Sequence, residues 1–419
     1  MRISAIETVL HEEFPHSVHV YVHTDEGVSG LGESYHHPEA ISEYVHSVIA
    51  PRMLGEPAEN IARMWSQIGN FTDGQQPFSG TVSVESSATS AFDIAMWDLR
   101  SKALGLPLHD ALGGAVRDRI RTYNTSAGTG HLPPPGTPRH ERHLHEDWGL
   151  TAAVETAHDD WTASNERPAE YAESLVAEGI TATKIYPFAR LIAETRGLYI
   201  TPRQLEENLE PFREIRAAVG NALDISVDLN FVWTAAPALQ IATALDDFGL
   251  LWIEDPMRTS SLDALARLAA KLKTPIAGYD YLCGLPAYIR LVQSGAVSIV
   301  RMDLQWVGGV TEAVRIAGYA DAEGLGVVLH DCTGPVQWAA AIHVSCHLRN
   351  AMIQESVRAF YRDAYPLMVE RVPQVIAGHC LPLAGPGHGA VLLESYLAGA
   401  TRRTSTVRKG TFVCETAAP

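Results

Sequence analysis

The chain has 419 residues, of which 46% are hydrophobic and 19% charged, with a formal net charge of −17. This is the composition of a globular protein long enough for two units, because an α/β barrel alone takes about 250 residues, and a core of this size needs no disulfide or metal to fold. So acidic a chain is a poor partner for nucleic acid or anionic lipid, and an anionic substrate would need local positive charge such as a bound metal.

Taken in order, the first forty residues read as strands. SVHVYVHT alternates apolar and polar residues and DEGVSGLGE supplies turn glycines, the pattern of a small antiparallel sheet. The opening MRISAIETVL lacks a basic segment followed by an apolar run, and no long apolar run occurs elsewhere. Neither a signal peptide nor a membrane span is expected, and a cytoplasmic location is the default. From about Pro38 to Leu112 the pattern is helical. Its clearest stretch, SSATSAFDIAMWDLRSKALG, places Ala91, Ile94, Ala95, Leu99 and Ala103 near one face, with Gly105 as the stop.

From about Arg121 short β-rich runs alternate with helical ones. The candidate strands are IRTYNT, ATKIY, ISVDLN, LLWIED, PIAGYD, SIVRMD, GVVLHD and AMIQES, separated by amphipathic segments such as PALQIATALDDFG and LDALARLAAKL. This is the rhythm of βαβ units in a parallel α/β sheet, and eight strands favour a closed barrel. One segment breaks the rhythm. Gly128 to about Arg167 is rich in Pro, His and charge and follows the first barrel strand, at the rim where barrel active sites sit. His131, His140, His143 and His145 suit a metal site or, the preferred reading, a solvated loop over the mouth. The five cysteines (Cys283, Cys332, Cys346, Cys380, Cys414) are odd in number without CxxC spacing, which speaks against a disulfide framework or a thiolate zinc site.

The candidate strands end alike. Asp228, Glu254, Asp280, Asp303, His330 and Glu355 close strands three to eight, at separations of 26, 26, 23, 27 and 25 residues. That interval is one strand, one helix and two turns, so each polar residue arrives at the same end of the barrel. One acidic residue after a strand is usually a helix cap, but capping does not explain six in register. Asp228, Glu254 and Asp280 would repel one another without a cation, and an all-oxygen set suits Mg2+. Asp303 beside His330 orients the ring and makes a general base near neutral pH. Glu355 could donate to a substrate oxygen from the other side. On strand two, period two puts Lys184 and Tyr186 on the same interior face. Lys184 can offset developing negative charge. Tyr186 can donate a proton, and its phenol is a weak base unless a neighbour lowers its pKa. His343 and His347 read as helix-face residues, and Gly308-Gly309 as a tight turn rather than a phosphate cradle.

The motifs VDLN (227–230), WIEDP (252–256), PIAGYD (275–280), the Asp303 strand running into Gly308-Gly309, and VLH (328–330) resemble those of the enolase superfamily. The subgroup resembled is that of mandelate racemase, muconate lactonizing enzyme and the acid-sugar dehydratases. AFDIAMWDLRSKALGLPLHDALGG (91–114) is similar to the family's capping-domain signature, and GPGHG (385–389) to its return segment. The resemblance implies a modified (β/α)7β barrel over 121–385, with a loop insertion at about 128–167. It also implies an α+β cap over 1–120, completed by 386–419. It implies Mg2+ held by Asp228, Glu254 and Asp280, an Asp303–His330 dyad, Glu355 as electrophilic acid, a small-molecule carboxylate substrate and a homo-oligomer.

Two positions depart from the family. Many members carry Lys-x-Lys on strand two, where this chain has Lys184-x-Tyr186. Asp280, beside Tyr279, stands where Glu is usual. A racemase needs two bases of opposite hand, so Tyr186 favours one-base chemistry. The expected reaction is dehydration of an aldonate or aldarate to a 2-keto-3-deoxy acid. A racemase, epimerase or cycloisomerase using Tyr186, and a non-catalytic sugar-acid sensor, are the alternatives.

Overall fold

The structure, a computed structural model, describes residues 1–69, 81–128 and 158–419. The chain begins as an antiparallel meander of β1 (Ile3–His11), β2 (Phe14–Thr24) and β3 (Ser29–Tyr35). Alternation in β2 sends Val18, Val20 and Val22 into a core shared with Ile41, Val45, Phe92 and Leu99. The helix Val84–Leu104 crosses this sheet. Ser83 and Ser86 form a reciprocal capping box at its start, and Gly105 ends it in the left-handed conformation. Ala91, Ile94, Ala95 and Leu99 are buried as expected, but Ala103 is exposed, because the last turn runs past the sheet. The same helix is buried on almost every side, since it packs on β3 and on the barrel helix Gly309–Ala322.

All eight expected barrel strands form. They are β4 (Ile120–Thr125), β5 (Ala182–Ile185), β6 (Asp224–Asp228), β7 (Ile253–Glu254), β8 (Ile276–Gly278), β9 (Ile299–Met302), β10 (Gly326–Leu329) and β11 (Ala351–Ser356). Each pairs in parallel with the next, and β11 closes on β4 with Glu355 opposite Tyr123. A crossover helix precedes each strand from β5 to β11, and no helix longer than five residues follows β11, which is the (β/α)7β pattern. These helices bury one stripe each. In Leu262–Ala269 the stripe is Leu265 and Leu268, each worth about 1.5–3 kcal/mol of burial. After β11 a small hairpin, β12 (Val375–Ile376) and β13 (His379–Cys380), pairs with the start of β4. Then β14 (Ala400–Arg408) and β15 (Thr411–Ala417) return to the first sheet, whose order is β15-β14-β1-β2-β3.

The barrel interior is layered. Tyr123, Ala182, Trp252, Ala277, Ile299, Val328 and Ile353 form a closed apolar cluster. Period two carries the chain from this floor to the site, from Ala182 to Lys184, Trp252 to Glu254, Ile299 to Arg301, Val328 to His330 and Ile353 to Glu355. The expected insertion is described only from residue 158 onward, where Asp160–Glu166 is a helix. His131, His140, His143 and His145 lie outside the described residues. All five cysteines are free, and no described helix is long and apolar enough to cross a membrane.

Candidate active site

Asp228 ends β6 and Glu254 ends β7, while Asp280, Asp303 and His330 follow the last residues of β8, β9 and β10. Glu355 lies within β11. The strand ends thus bring the sequence-expected residues to one rim, around a cavity of about 240 Å³. Lys184, Tyr186, Asp228, Glu254, Asp280 and His330 line it. Asp303 and Glu355 sit behind, fully buried.

Two buried cations organise the carboxylates. Lys184 Nζ lies 2.5 Å from Glu254 Oε1, 2.9 Å from Glu355 Oε1 and 3.4 Å from Asp228 Oδ2. Burial and Arg301 push this ammonium down, but Glu254 and Glu355 outweigh them and hold it well above the ordinary lysine value. Arg301, completely buried on β9, reaches Glu254 Oε2 at 3.1 Å, Glu355 Oε2 at 2.9 Å and Asp280 Oδ2 at 3.3 Å, and donates to Tyr123 Oη at 2.5 Å. Glu355 also accepts from Thr125 Oγ1 and from Asp331 N at 3.0 Å. Burial pushes Glu355 up, but Lys184, Arg301 and His330 pull it well below the usual carboxylate range. Glu254 instead moves upward, burial being the dominant cause.

The dyad is held by hydrogen bonds. His330 Nδ1 lies 2.6 Å from Asp303 Oδ2, and Asp303 also accepts from Thr333 Oγ1 at 3.0 Å and Gln305 N at 2.7 Å. With Nδ1 facing Asp303, Nε2 is the other side of the ring, 3.9 Å from Glu355 Oε2. Trp306 stacks on the imidazole at a centroid distance of 5.2 Å. Burial lowers the His330 pKa, but Glu355, Asp280 and the Asp303 hydrogen bond outweigh it and raise it well above the ordinary value. Tyr186 is different. Burial drives its phenol well above the usual value, against the pull of Lys184, so it is a donor near neutral pH.

The donor set fits a hard divalent cation. Carboxylate oxygens of Asp228, Glu254 and Asp255 lie within 4.8 Å of one another. Asp255 Oδ1 is buried with no hydrogen-bond partner among the described residues. Burial and then the charges of Asp280 and Asp228 push the Asp255 carboxyl well above the usual range, the signature of acidic groups crowded without enough positive charge. Asp280 lines the same cavity but leans on Arg301.

Carboxylates of the first sheet and its helix dock on the barrel beside this site. Glu33 Oε2 on β3 accepts from Val336 N and Gln337 N, each at 2.9 Å, at the start of the helix Pro335–His347 that follows the His330 loop. Asp93 accepts from Thr311 N and Thr311 Oγ1 at the start of Gly309–Ala322. Both contacts need glycine. A Cβ on Gly334 would lie 2.3 Å from the Glu33 carboxylate, and one on Gly309 would lie 2.3 Å from Asp93 Oδ1. Gly308-Gly309 is therefore a turn that admits a docking carboxylate. His343, read from sequence as a helix-face residue, is buried with Nδ1 2.8 Å from His109 Nδ1, and His347 Nδ1 lies 2.8 Å from Gly114 O.

Residues 4–113 match the model of the mandelate racemase / muconate lactonizing enzyme N-terminal domain, and residues 167–396 match the enolase C-terminal domain-like model. The chain belongs to the enolase superfamily. An enolase of the mandelate racemase subgroup from Agrobacterium tumefaciens is 36% identical, covering 97% of this chain and 99% of that one, with a TM-score of 0.83. An enolase protein from Sargasso Sea environmental sequencing is 33% identical over 97% of this chain and 100% of that one, with a TM-score of 0.82. A D-galactonate dehydratase from Ralstonia nicotianae is 28% identical over 81% of this chain and 78% of its own length. An arabinonate dehydratase from Saccharolobus solfataricus is 25% identical over 89% and 87%. In this enolase-superfamily member the barrel and cap are those implied by the sequence motifs, and the family carries a divalent metal.

Sequence reading passed over several residues of the site. Arg301 stands two residues before Asp303, so strand alternation alone turns both inward, and a charged residue inside a barrel was the available signal. Asp255 adjoins Glu254 in WIEDP and sits at φ 45, a left-handed conformation that period-two reasoning does not anticipate. Trp161 reaches the cavity from the Asp160–Glu166 helix, which Arg358 fixes through Asp160 at 2.6 Å. The expected position of the 128–167 segment at the barrel mouth was the available signal for that placement.

Proposed function

We propose that this protein is a Mg2+-dependent dehydratase of a sugar acid, an aldonate or aldarate, giving a 2-keto-3-deoxy acid. It is an enzyme of the hydro-lyase class, in keeping with its dehydratase relatives. The observation that carries the reading is that one cavity is lined by an Asp-oriented imidazole, His330, and by a buried phenol, Tyr186, that burial keeps protonated.

Asp228, Glu254 and Asp280 would hold the cation, with Asp255 beside them. When bound, the divalent cation supplies positive charge that offsets these carboxylates, relieves the field that holds the proton on His330, and stabilises an enediolate. Lys184 faces the same centre and balances charge on the substrate carboxylate. His330 Nε2 takes the proton from the carbon next to that carboxylate, while Asp303 fixes the ring through Nδ1. The electron pair left by that proton expels the hydroxyl of the next carbon. The hydroxyl departs as water after receiving a proton from the His330 imidazolium, with Tyr186 donating a hydrogen bond. The resulting enol then becomes the 2-keto acid. Glu355 was implied as the electrophilic acid, but it is held ionised between Lys184 and Arg301. In this proposal it anchors Lys184, whose ammonium donates a hydrogen bond to the substrate carboxylate. The cap over 1–120, completed by 386–419, would close over a barrel of 121–385, with 128–167 as its insertion.

The test is incubation of the protein and Mg2+ with a library of aldonates and aldarates, assayed for 2-keto-3-deoxy product. One or a few acids should turn over, and turnover should vanish on chelation. Metal-dependent α-proton exchange without water loss would instead establish the racemase alternative.

A further inference from the structure

Two residues beyond the base, Cys332 brings a thiol to the cavity. Its side chain shares a hydrogen bond with that of His330. A His330 ring nitrogen, Cys332 Sγ and a Glu355 oxygen all lie within 4.8 Å of one another. We propose that these three residues form a second cation site, for a thiophilic divalent ion such as Zn2+ or Cd2+, separate from the all-oxygen cluster of Asp228, Glu254 and Asp255.

The donor chemistry separates the two sites. Thiolate and imidazole select softer ions, whereas carboxylates alone suit Mg2+. A tetrahedral ion with bonds of about 2.0–2.3 Å spaces its donors by about 3.3–3.8 Å. His330 Nε2 and Glu355 Oε2 are already 3.9 Å apart, and because Oε2 accepts from Arg301 and from Asp331 N, a bound ion would replace one of those bonds. Three protein donors leave a fourth position toward the cavity, as in open zinc sites. The supporting contacts exist too. Nδ1 of His330 is held by Asp303, which in turn accepts from Thr333 and Gln305, the arrangement that orients a metal-bound imidazole. Binding would release the thiol proton to solvent and form the metal–sulfur bond without any change of oxidation state. The sites are divided by Lys184, whose Nζ touches Glu254 on one side and Glu355 on the other. An ion on Nε2 occupies the lone pair that the proposed dehydration uses, so it would inhibit. That consequence rests on the proposed function, while the binding does not.

The experiment titrates Cd2+ into the protein saturated with Mg2+ and follows the thiolate-to-cadmium charge-transfer absorption in the ultraviolet. A saturable band is expected in the wild type and in Cys414→Ser, and none in Cys332→Ser. Asp303→Asn should weaken Cd2+ binding about 10–100-fold. A band that persists in Cys332→Ser overturns the proposal. Should a variant fail to fold, the wild type decides, since Zn2+ should protect Cys332 from alkylation, mapped by mass spectrometry, and unchanged alkylation overturns the site. Both readouts stand whether or not a substrate is found.

Discussion

On the β6–β8 side of the cavity, Asp228, Glu254 and Asp280 are balanced by the buried cations Lys184 and Arg301. On the β9–β10 side, Asp303 and His330 are held mainly by hydrogen bonds from a hydroxyl and a backbone amide. Charge balance is non-directional, so a divalent ion can enter the first side by adding to or displacing the ammonium. Hydrogen bonds fix direction, so the imidazole is held with Nδ1 toward Asp303. In the proposed function the first side takes the Mg2+ and the second moves the proton.

The sharpest way to separate the sides is His330→Asn. Removing the proposed general base should lower kcat by about 10²–10⁴ while calorimetric Mg2+ affinity stays near the wild-type value. Joint loss of both would show that the two sides are one unit. Next in size is Lys184→Met, which among the described residues leaves Arg301 as the remaining Lys or Arg paired with Glu254 and Glu355. Metal-free protein should lose about 3–5 kcal/mol in denaturant unfolding, and Mg2+ should restore part of it. Equal loss with and without Mg2+ would mean that the ion does not share the lysine's role. Smaller again, Glu33→Gln weakens two bonds to the helix start behind His330 and should cost about 1–3 kcal/mol, read by urea unfolding.

The smallest effect lies far from the pocket. His46 bridges Thr8 Oγ1 and Ser405 Oγ, tying β1 to β14, and burial lowers its pKa from 6.5 to about 4. Its folded value lies below the unfolded one, so the unfolded chain binds more protons between the two. The stabilisation is therefore complete above about pH 6.5 and fades as pH falls through about 4. Thermal unfolding of wild type and His46→Gln across that window should converge toward the acid end. A pH-independent difference would contradict the neutral ring.

The barrel was legible because its strands are short, apolar and evenly spaced, and because six polar strand ends repeat at one interval. The Val84–Leu104 helix was legible by periodicity, although its burial on both faces and the exposure of Ala103 depend on docking that no local pattern encodes. Asp228, Glu254, Asp280, Asp303, His330 and Glu355 were placed by spacing alone. Arg301 and Glu33 were missed because their partners are distant in sequence, met only when the barrel closes or the first sheet docks on it, and Asp255 because its φ of 45 departs from strand alternation. Tyr186 was identified, but its role depends on burial, which the sequence does not state.

The central claim is that the cavity has one base, and the direct measurement is the fate of the α-proton. Turnover of the sugar-acid library in deuterated water with Mg2+ should yield 2-keto-3-deoxy acid, with recovered substrate unchanged in configuration. Recovered substrate that is deuterated and inverted, with no keto product, would mean that Tyr186 acts as a second base and would contradict the account.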